Sequence, residues 1–161
     1  MGRFGVPGVV NGQKSIIPKM AASYLLDHAM RIDRLDHIVL TVVDISATIA
    51  FYSRVLGMQE ITFGDQRKAL AFGQQKINLH PAGRPIAPHA ASPTPGSADL
   101  CFIVTGGIQE VLAHLQTCGV ALEAGPIPRT GATGPIISVY FRDPDGNLLE
   151  VATYDHSGHG S

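Results

Sequence analysis

Leu35 to Met58 reads LDHIVLTVVDISATIAFYSRVLGM, and its hydrophobic period changes once, at Asp44. Before that aspartate, Leu35 to Val43 is dense in β-branched residues and reads as a strand. After it, Ile45, Ile49, Tyr52 and Leu56 recur at helical spacing, and Gly57 follows as a stop. Asp44 is suited to cap the helix, because its side chain can accept from the first unpaired backbone N–H groups. Strand, cap, helix and glycine stop form one supersecondary unit, and the same order returns later. Asp99 to Val104 reads as a strand, Ile108, Val111, Leu112 and Leu115 make an apolar stripe, and Gly119 ends it. Gly119 follows Gly57 by 119 − 57 = 62 residues, and Asp99 follows His37 by 99 − 37 = 62. Two units in register at one spacing indicate a duplicated module.

Around these units lie shorter strand-like pieces. Met58 to Phe63, Lys68 to Phe72 and Lys76 to Leu79 complete the first half. In the second half come Ala121 to Glu123, a glycine- and proline-rich loop, Ile136 to Phe141 and, after the turn DPDG, Leu148 to Tyr154. Each half is therefore expected to be βαβββ, which makes the fold class α+β. Module one is expected at about 32–80, module two at about 98–155, and the proline-rich PAGRPIAPHAASPTPGS, Pro81 to Ser97, as a linker of about 81–97. Residues 31–155 are the expected domain, residues 1–30 a disordered or weakly ordered extension, and 156–161 a polar tail.

Composition narrows the functional classes. The 161-residue chain has a formal net charge of −1 and 16% charged residues, with Lys and Arg scattered rather than clustered. This argues against a nucleic-acid footprint or a membrane-surface patch. No apolar run approaches the roughly 20 residues of a membrane span. The two cysteines, Cys101 in an apolar run and Cys118 at a helix end, look buried and are too few for a disulfide framework, so a reducing compartment is expected. A soluble cytoplasmic protein with a small-molecule partner is the resulting expectation.

Chemistry-bearing residues emerge from strand alternation. His37, Val39 and Thr41 share one face of the first strand, and Asp99 occupies the position of His37 in the repeat. On the last strand Glu150 shares a face with Leu148, Ala152 and Tyr154; Asn78 is its counterpart in module one, with His80 two residues on. A histidine or two with one or two carboxylates is a ligand set for zinc, nickel, manganese or iron(II) with positions left open. His37, His80, Asp99 and Glu150 are the metal candidates. Asp143 and Asp145 of DPDG are expected to be architectural, as Pro presets φ and Gly accepts positive φ. GPIPRTGATGP is expected to be a mobile flap contacting substrate through Arg129, while Arg67 and Lys68 read as a solvated edge. His28, His89, His114, His156 and His159 receive no role.

LDHIVLTVVDISATIAFYSRVLGM together with DPDGNLLEV resembles the vicinal oxygen chelate superfamily, the glyoxalase, bleomycin-resistance and extradiol-dioxygenase group. The resemblance covers roughly Ile32 to Tyr154. RKALAFGQQKINLH, PGSADLCFI and GPIPRTGATGPI look closest to a subgroup called glyoxalase domain-containing protein 5 and its bacterial virulence-protein relatives. It implies paired βαβββ modules curling into a half-open sheet around a divalent metal, held from the first and last strands of each module. By position those residues are His37, Asn78, Asp99 and Glu150. Asn78 stands where lactoylglutathione lyases carry Glu or a similar ligand, Asp99 stands where most members carry His, and His80 can substitute for Asn78.

The activity implied is a metal-dependent lyase or isomerase working by a metal-stabilised enediolate, with Glu150 as base, Asn78 and Arg129 toward the substrate, a glutathione adduct among the possible substrates, and a homodimer as the assembly. A dioxygenase, an epimerase, a thiol transferase or a metal-free drug-binding protein on the same scaffold are the alternatives, since a fold does not fix its reaction.

Overall fold

The computed structural model describes residues 30–154, of which 35–154 belong to one compact unit. The expected extension, apart from Met30, and the expected tail with His156 and His159 lie outside the described residues, as does His28. The elements are β1 His37–Val42, α1 Ile45–Leu56, β2 Gln59–Phe63, β3 Arg67–Phe72, β4 Gln75–Pro81, β5 Asp99–Ile103, α2 Ile108–Thr117, β6 Ala124–Thr130, β7 Pro135–Arg142 and β8 Leu148–Tyr154. They build two four-stranded mixed sheets, ordered β1-β4-β3-β2 and β5-β8-β7-β6. β1 runs parallel to β4 and β5 parallel to β8, with the other neighbours antiparallel. Both halves are thus βαβββ, and neither sheet closes into a barrel.

The punctuation read from the sequence works locally. Asp44 Oδ1 accepts from the backbone N–H groups of Ser46 at 2.8 Å and Ala47 at 3.0 Å, satisfying two donors that have no partner in the first turn of α1. Gly57 closes α1 at φ 67°, and 62 residues on Gly119 follows α2 at φ 65°, a left-handed conformation that favours glycine. The duplication is therefore carried into backbone geometry as well as hydrophobic pattern.

One core serves both modules. Leu40, Val42, Leu70, Ile77 and Leu79 from the first sheet join Val139, Phe141, Leu149 and Val151 from the second, with Tyr52, Val55 and Leu115 of the helices between them. Phe72 meets Phe102 edge-on at 5.5 Å between ring centres, and Phe51 meets Phe141 at 6.4 Å. Each sheet thus buries the face carrying Leu40 and Leu79, or Leu149 and Val151, in one core with the helices. By alternation the opposite faces, with His37, Val39 and Asn78 on one sheet and Asp99, Cys101 and Glu150 on the other, turn away from this common core.

The DPDG turn bolts the modules together. Asp143 is buried, at 6% exposure, and accepts from Tyr52 Oη of α1 at 2.9 Å, from Asn147 N at 2.8 Å, from Asn147 Nδ2 at 2.7 Å and from Asp145 N at 3.0 Å. Asp145 Oδ1 in turn accepts from Val43 N at 3.0 Å, at the end of β1. Burial first, and then the Asp143 carboxylate, pushes the Tyr52 hydroxyl far above the ordinary phenol range, so it stays a donor. Both aspartates are architectural, as the turn composition indicated.

Two expectations are corrected. Ala121 to Glu123 is not a strand; the strand is Ala124–Thr130, made from most of the segment expected to be a loop, and only residues 131–134 form the turn into β7. Proline lacks an N–H, but β6 is the outer strand of its sheet and pairs with β7 alone, so Pro126 and Pro128 break no inner ladder. A register shift between Ala124 and Ile127 absorbs the irregularity. Cys101, expected to be buried, is exposed, because it falls on the outward face of β5. Neither it nor Cys118 forms a disulfide.

Candidate functional site

Register fixes which candidates correspond. In the first sheet Val39 pairs with Asn78; in the second Cys101 pairs with Glu150, and Val39 and Cys101 are 62 residues apart. Asn78 and Glu150 therefore occupy equivalent places on the two outward faces. They share a second property. Among the described residues, the buried side-chain oxygens without a hydrogen-bond partner are Asn78 Oδ1, Ser138 Oγ, Asp145 Oδ2 and Glu150 Oε1. A buried oxygen left unmatched costs about 1–3 kcal/mol, so each calls for an explanation such as a bound ion, a water or a catalytic role. The two orphan oxygens on equivalent strand positions suit the donor chemistry of a divalent metal.

His37 opens β1 with an exposed side chain, and its Nδ1 lies 2.7 Å from Asp36 Oδ1. A carboxylate on Nδ1 favours the tautomer that leaves Nε2 as a lone-pair donor, the arrangement that orients metal-binding imidazoles. Asp99 opens β5 and is exposed on the face that carries Glu150. Among the described residues no three His, Cys, Asp or Glu side chains gather closely enough to hold one ion. Each sheet spends its other face on its helix and the shared core, so His37 with Asn78 and Asp99 with Glu150 form two half-sites.

His80 lies two residues beyond Asn78 on the same face of β4, beside Thr41. It is buried, its Nδ1 accepts from Ile86 N at 3.4 Å, and it lines a cavity of about 130 Å³ with Thr41, His89, Pro93 and Asn147, beneath residues 82–97. Burial, then the charges of Arg67 and His89, hold its pKa below the ordinary 6.5. The unfolded chain then binds a proton that the folded protein declines. Stability is expected to fall as pH drops below about 6.5 toward the lowered native value. In His80→Gln that component of the pH dependence should vanish, which unfolding midpoints at pH 7.5 and 5.5 would show; an unchanged pH slope would remove the assignment.

Glu150 borders a second, larger cavity. A half-open space of about 360 Å³ is lined by Cys101, Ile103, Arg129, Tyr140, Tyr154 and, from the start of the turn, Gly131 and Ala132. Although Cys101 is exposed as a residue, partial burial of its thiol, then the charge of Glu150 and a hydrogen bond to it, and Asp99, push the thiol up to about 11, so it stays protonated near neutrality and is no thiolate nucleophile. Thr133 N–H donates to Tyr154 Oη at 3.2 Å, and a Cβ on Gly131 would come within 2.9 Å of Ile136 Cγ2. The turn is pressed onto the last strand. Arg129, on β6, donates from Nε to Tyr140 Oη at 3.1 Å and from Nη1 to Pro128 O at 3.3 Å. Cys101 and the tyrosines were not foreseen as cavity-lining residues; strand alternation already placed Cys101 two residues from Asp99 on the same face. Arg67 lies over Phe63, and Lys68 pairs with Glu60 at 2.6 Å; both are half-buried on β3, an inner strand, in place of the solvated edge expected.

Residues 34–151 match the model of the Glyoxalase/Bleomycin resistance protein/Dioxygenase superfamily. The chain is 56% identical over 125 residues to virulence protein STM3117 of Salmonella typhimurium, covering 78% of this chain and 87% of that protein. The crystal structure of that protein superposes with a TM-score of 0.77, over 78% of this chain and all of the other. A glyoxalase domain-containing protein of Mycosarcoma maydis, RDO1, is 52% identical over 120 residues, 74% of this chain and 68% of its own length. An integron cassette protein from the mobile metagenome of Vibrio cholerae, VCH_CASS1, is 53% identical with a TM-score of 0.77, covering 79% of this chain and 99% of that one. Among the described residues no helix is long and apolar enough to cross a membrane.

Proposed function

Because the chain belongs to the Glyoxalase/Bleomycin resistance protein/Dioxygenase superfamily, we propose that it is a metal-dependent lyase or isomerase acting on a small oxygenated substrate. The observation that carries this reading is the pair of orphan oxygens, Asn78 Oδ1 and Glu150 Oε1, at equivalent places on the two outward faces. His37, Asp99 and Glu150 would hold the ion, with Asn78 or His80 completing the set. The ion, zinc, nickel, manganese or iron, would polarise two adjacent substrate oxygens. Glu150 would then take the proton from the hydroxyl-bearing carbon and return it to the neighbouring carbonyl carbon, the task of a positioned carboxylate.

Assembly of the site requires a second copy. The half-sites look away from one core, so a homodimer that sets the His37–Asn78 face of one chain against the Asp99–Glu150 face of another would bring the ligands together. Val39, at 46% exposure, and Ile103, at 49%, are large apolar side chains on those two faces and fit such a contact. The cytoplasm is the compartment proposed, with neither nucleic acid nor a membrane as partner.

Metal analysis of the purified full-length chain, with melting temperatures in added zinc, nickel, manganese and iron(II), tests the reading. Metal should raise the melting temperature by mass action, and His37→Ala should weaken metal binding by about 100-fold or more, since even supporting contacts of a ligand are worth 10–100-fold. Undiminished occupancy in that variant would refute the site. Consumption of the glutathione–methylglyoxal hemithioacetal would support a lyase; absence of turnover with all four metals would remove that reaction and leave the dioxygenase, epimerase or thiol-transferase readings. A metal-free small-molecule binder is the second reading. It draws on the lack of three converging ligands among the described residues, and it predicts no response to any of the metals.

A further inference from the structure

We infer that the cavity beside Glu150 takes small monocarboxylates, with Arg129 as the residue that binds the carboxylate. This rests on the reading just given, whose substrate class it names. Arg129 lines the cavity and takes part in none of the ion pairs among the described residues. Its Nε is occupied by Tyr140 Oη and one Nη1 hydrogen by Pro128 O, and its guanidinium lies 5.6 Å from the centre of the Tyr140 ring. The fork is therefore already oriented on its strand, and the Nη edge remains to meet a planar two-oxygen acceptor. A carboxylate matches that edge with two parallel charge-assisted bonds.

The rest of the lining sets the charge and size. Arg129 is the one Arg or Lys in the lining, and Glu150 faces the same space with its unpartnered Oε1. In the chain without metal a single negative charge is balanced by Arg129, whereas a phosphate dianion would bring surplus charge toward Glu150, so the titrations that test this site are made on metal-free protein. Ile103, Ala132 and Ile136 supply apolar wall between the two polar ends. At about 360 Å³ the space lies at the small end of ligand cavities. A short carbon skeleton with the carboxylate at Arg129 would turn its oxygenated carbons toward Glu150.

Calorimetric titration of the full-length chain with racemic lactate and with its neutral isostere lactamide tests this, alongside Arg129→Gln. Lactate is expected to bind roughly tenfold or more tightly than lactamide, and Arg129→Gln to lower lactate affinity to the level of the amide, as loss of a charge-assisted pair requires. Zinc uptake and the zinc-induced melting shift should be unchanged in that variant. Equal affinities for lactate and lactamide, no binding of either, lactate binding unaltered by Arg129→Gln, or tighter binding of inorganic phosphate would each overturn the inference. Zinc binding without lactate discrimination would sink this proposal and leave the metal reading standing. Arg129-dependent lactate binding without zinc uptake would do the reverse.

Discussion

Asp143→Ala is expected to destabilise the fold by about 2–6 kcal/mol, because it leaves two buried donors, Tyr52 Oη and Asn147 Nδ2, without their acceptor at about 1–3 kcal/mol each. The aspartate is buried and has no cation among its hydrogen-bond partners; four donors from Tyr52, Asp145 and Asn147 replace the water it gave up. Tyr52 belongs to the first module and Asn147 to the second, whose Oδ1 also accepts from Ala98 N at 2.9 Å. Removing one carboxylate therefore loosens the junction of both modules. Tyr52→Phe removes one donor together with its need for an acceptor, and should cost less. Urea unfolding of the three proteins gives the comparison; an Asp143→Ala midpoint equal to that of the parent would rule out the tether.

Glu150→Gln is expected to lower turnover by about 10²–10⁴-fold, the range for loss of a positioned acid–base group, while leaving thermal stability near that of the parent. The substitution keeps shape, Glu150 Oε1 has no hydrogen-bond partner, and the amide oxygen of glutamine can still accept from the Cys101 thiol. A large loss of stability would mean that the carboxylate supports the sheet instead. A second readout needs no substrate. The negative charge of Glu150 helps hold the Cys101 thiol at about 11, so neutralising it should bring that thiol down toward the ordinary value of 9. Alkylation rates measured across alkaline pH would then rise at lower pH in the variant. An unmoved Cys101 profile would deny that the two side chains face each other.

Much of this architecture was legible because local rules and the repeat agree. Asp44, Gly57 and Gly119 punctuate the chain where their hydrogen bonds and left-handed backbone require. Alternation also revealed which side chains share a face, and the observed register sets Asn78 level with Glu150 in their two sheets. What alternation does not contain is which buried face packs on which. The chain buries the Leu40 and Leu149 faces in one core with the helices, so the candidate ligands of the two modules lie on the opposite faces; that depends on the long-range packing of Phe72 on Phe102 and Phe51 on Phe141. Ala124–Thr130 was hidden for another reason. Gly125, Pro126 and Pro128 are loop-forming residues in isolation, and only an outer position beside β7 makes them compatible with a strand.

Those prolines also bear on how the protein avoids self-propagating aggregation. An outer strand with a full row of amide hydrogens is a template on which another chain can add. β6 lacks two of them, at Pro126 and Pro128, and its register shift breaks the spacing of the remainder. Growth of the second sheet by strand addition is thereby discouraged at β6, so crowded or partly unfolded copies have one fewer surface from which a fibril could be seeded.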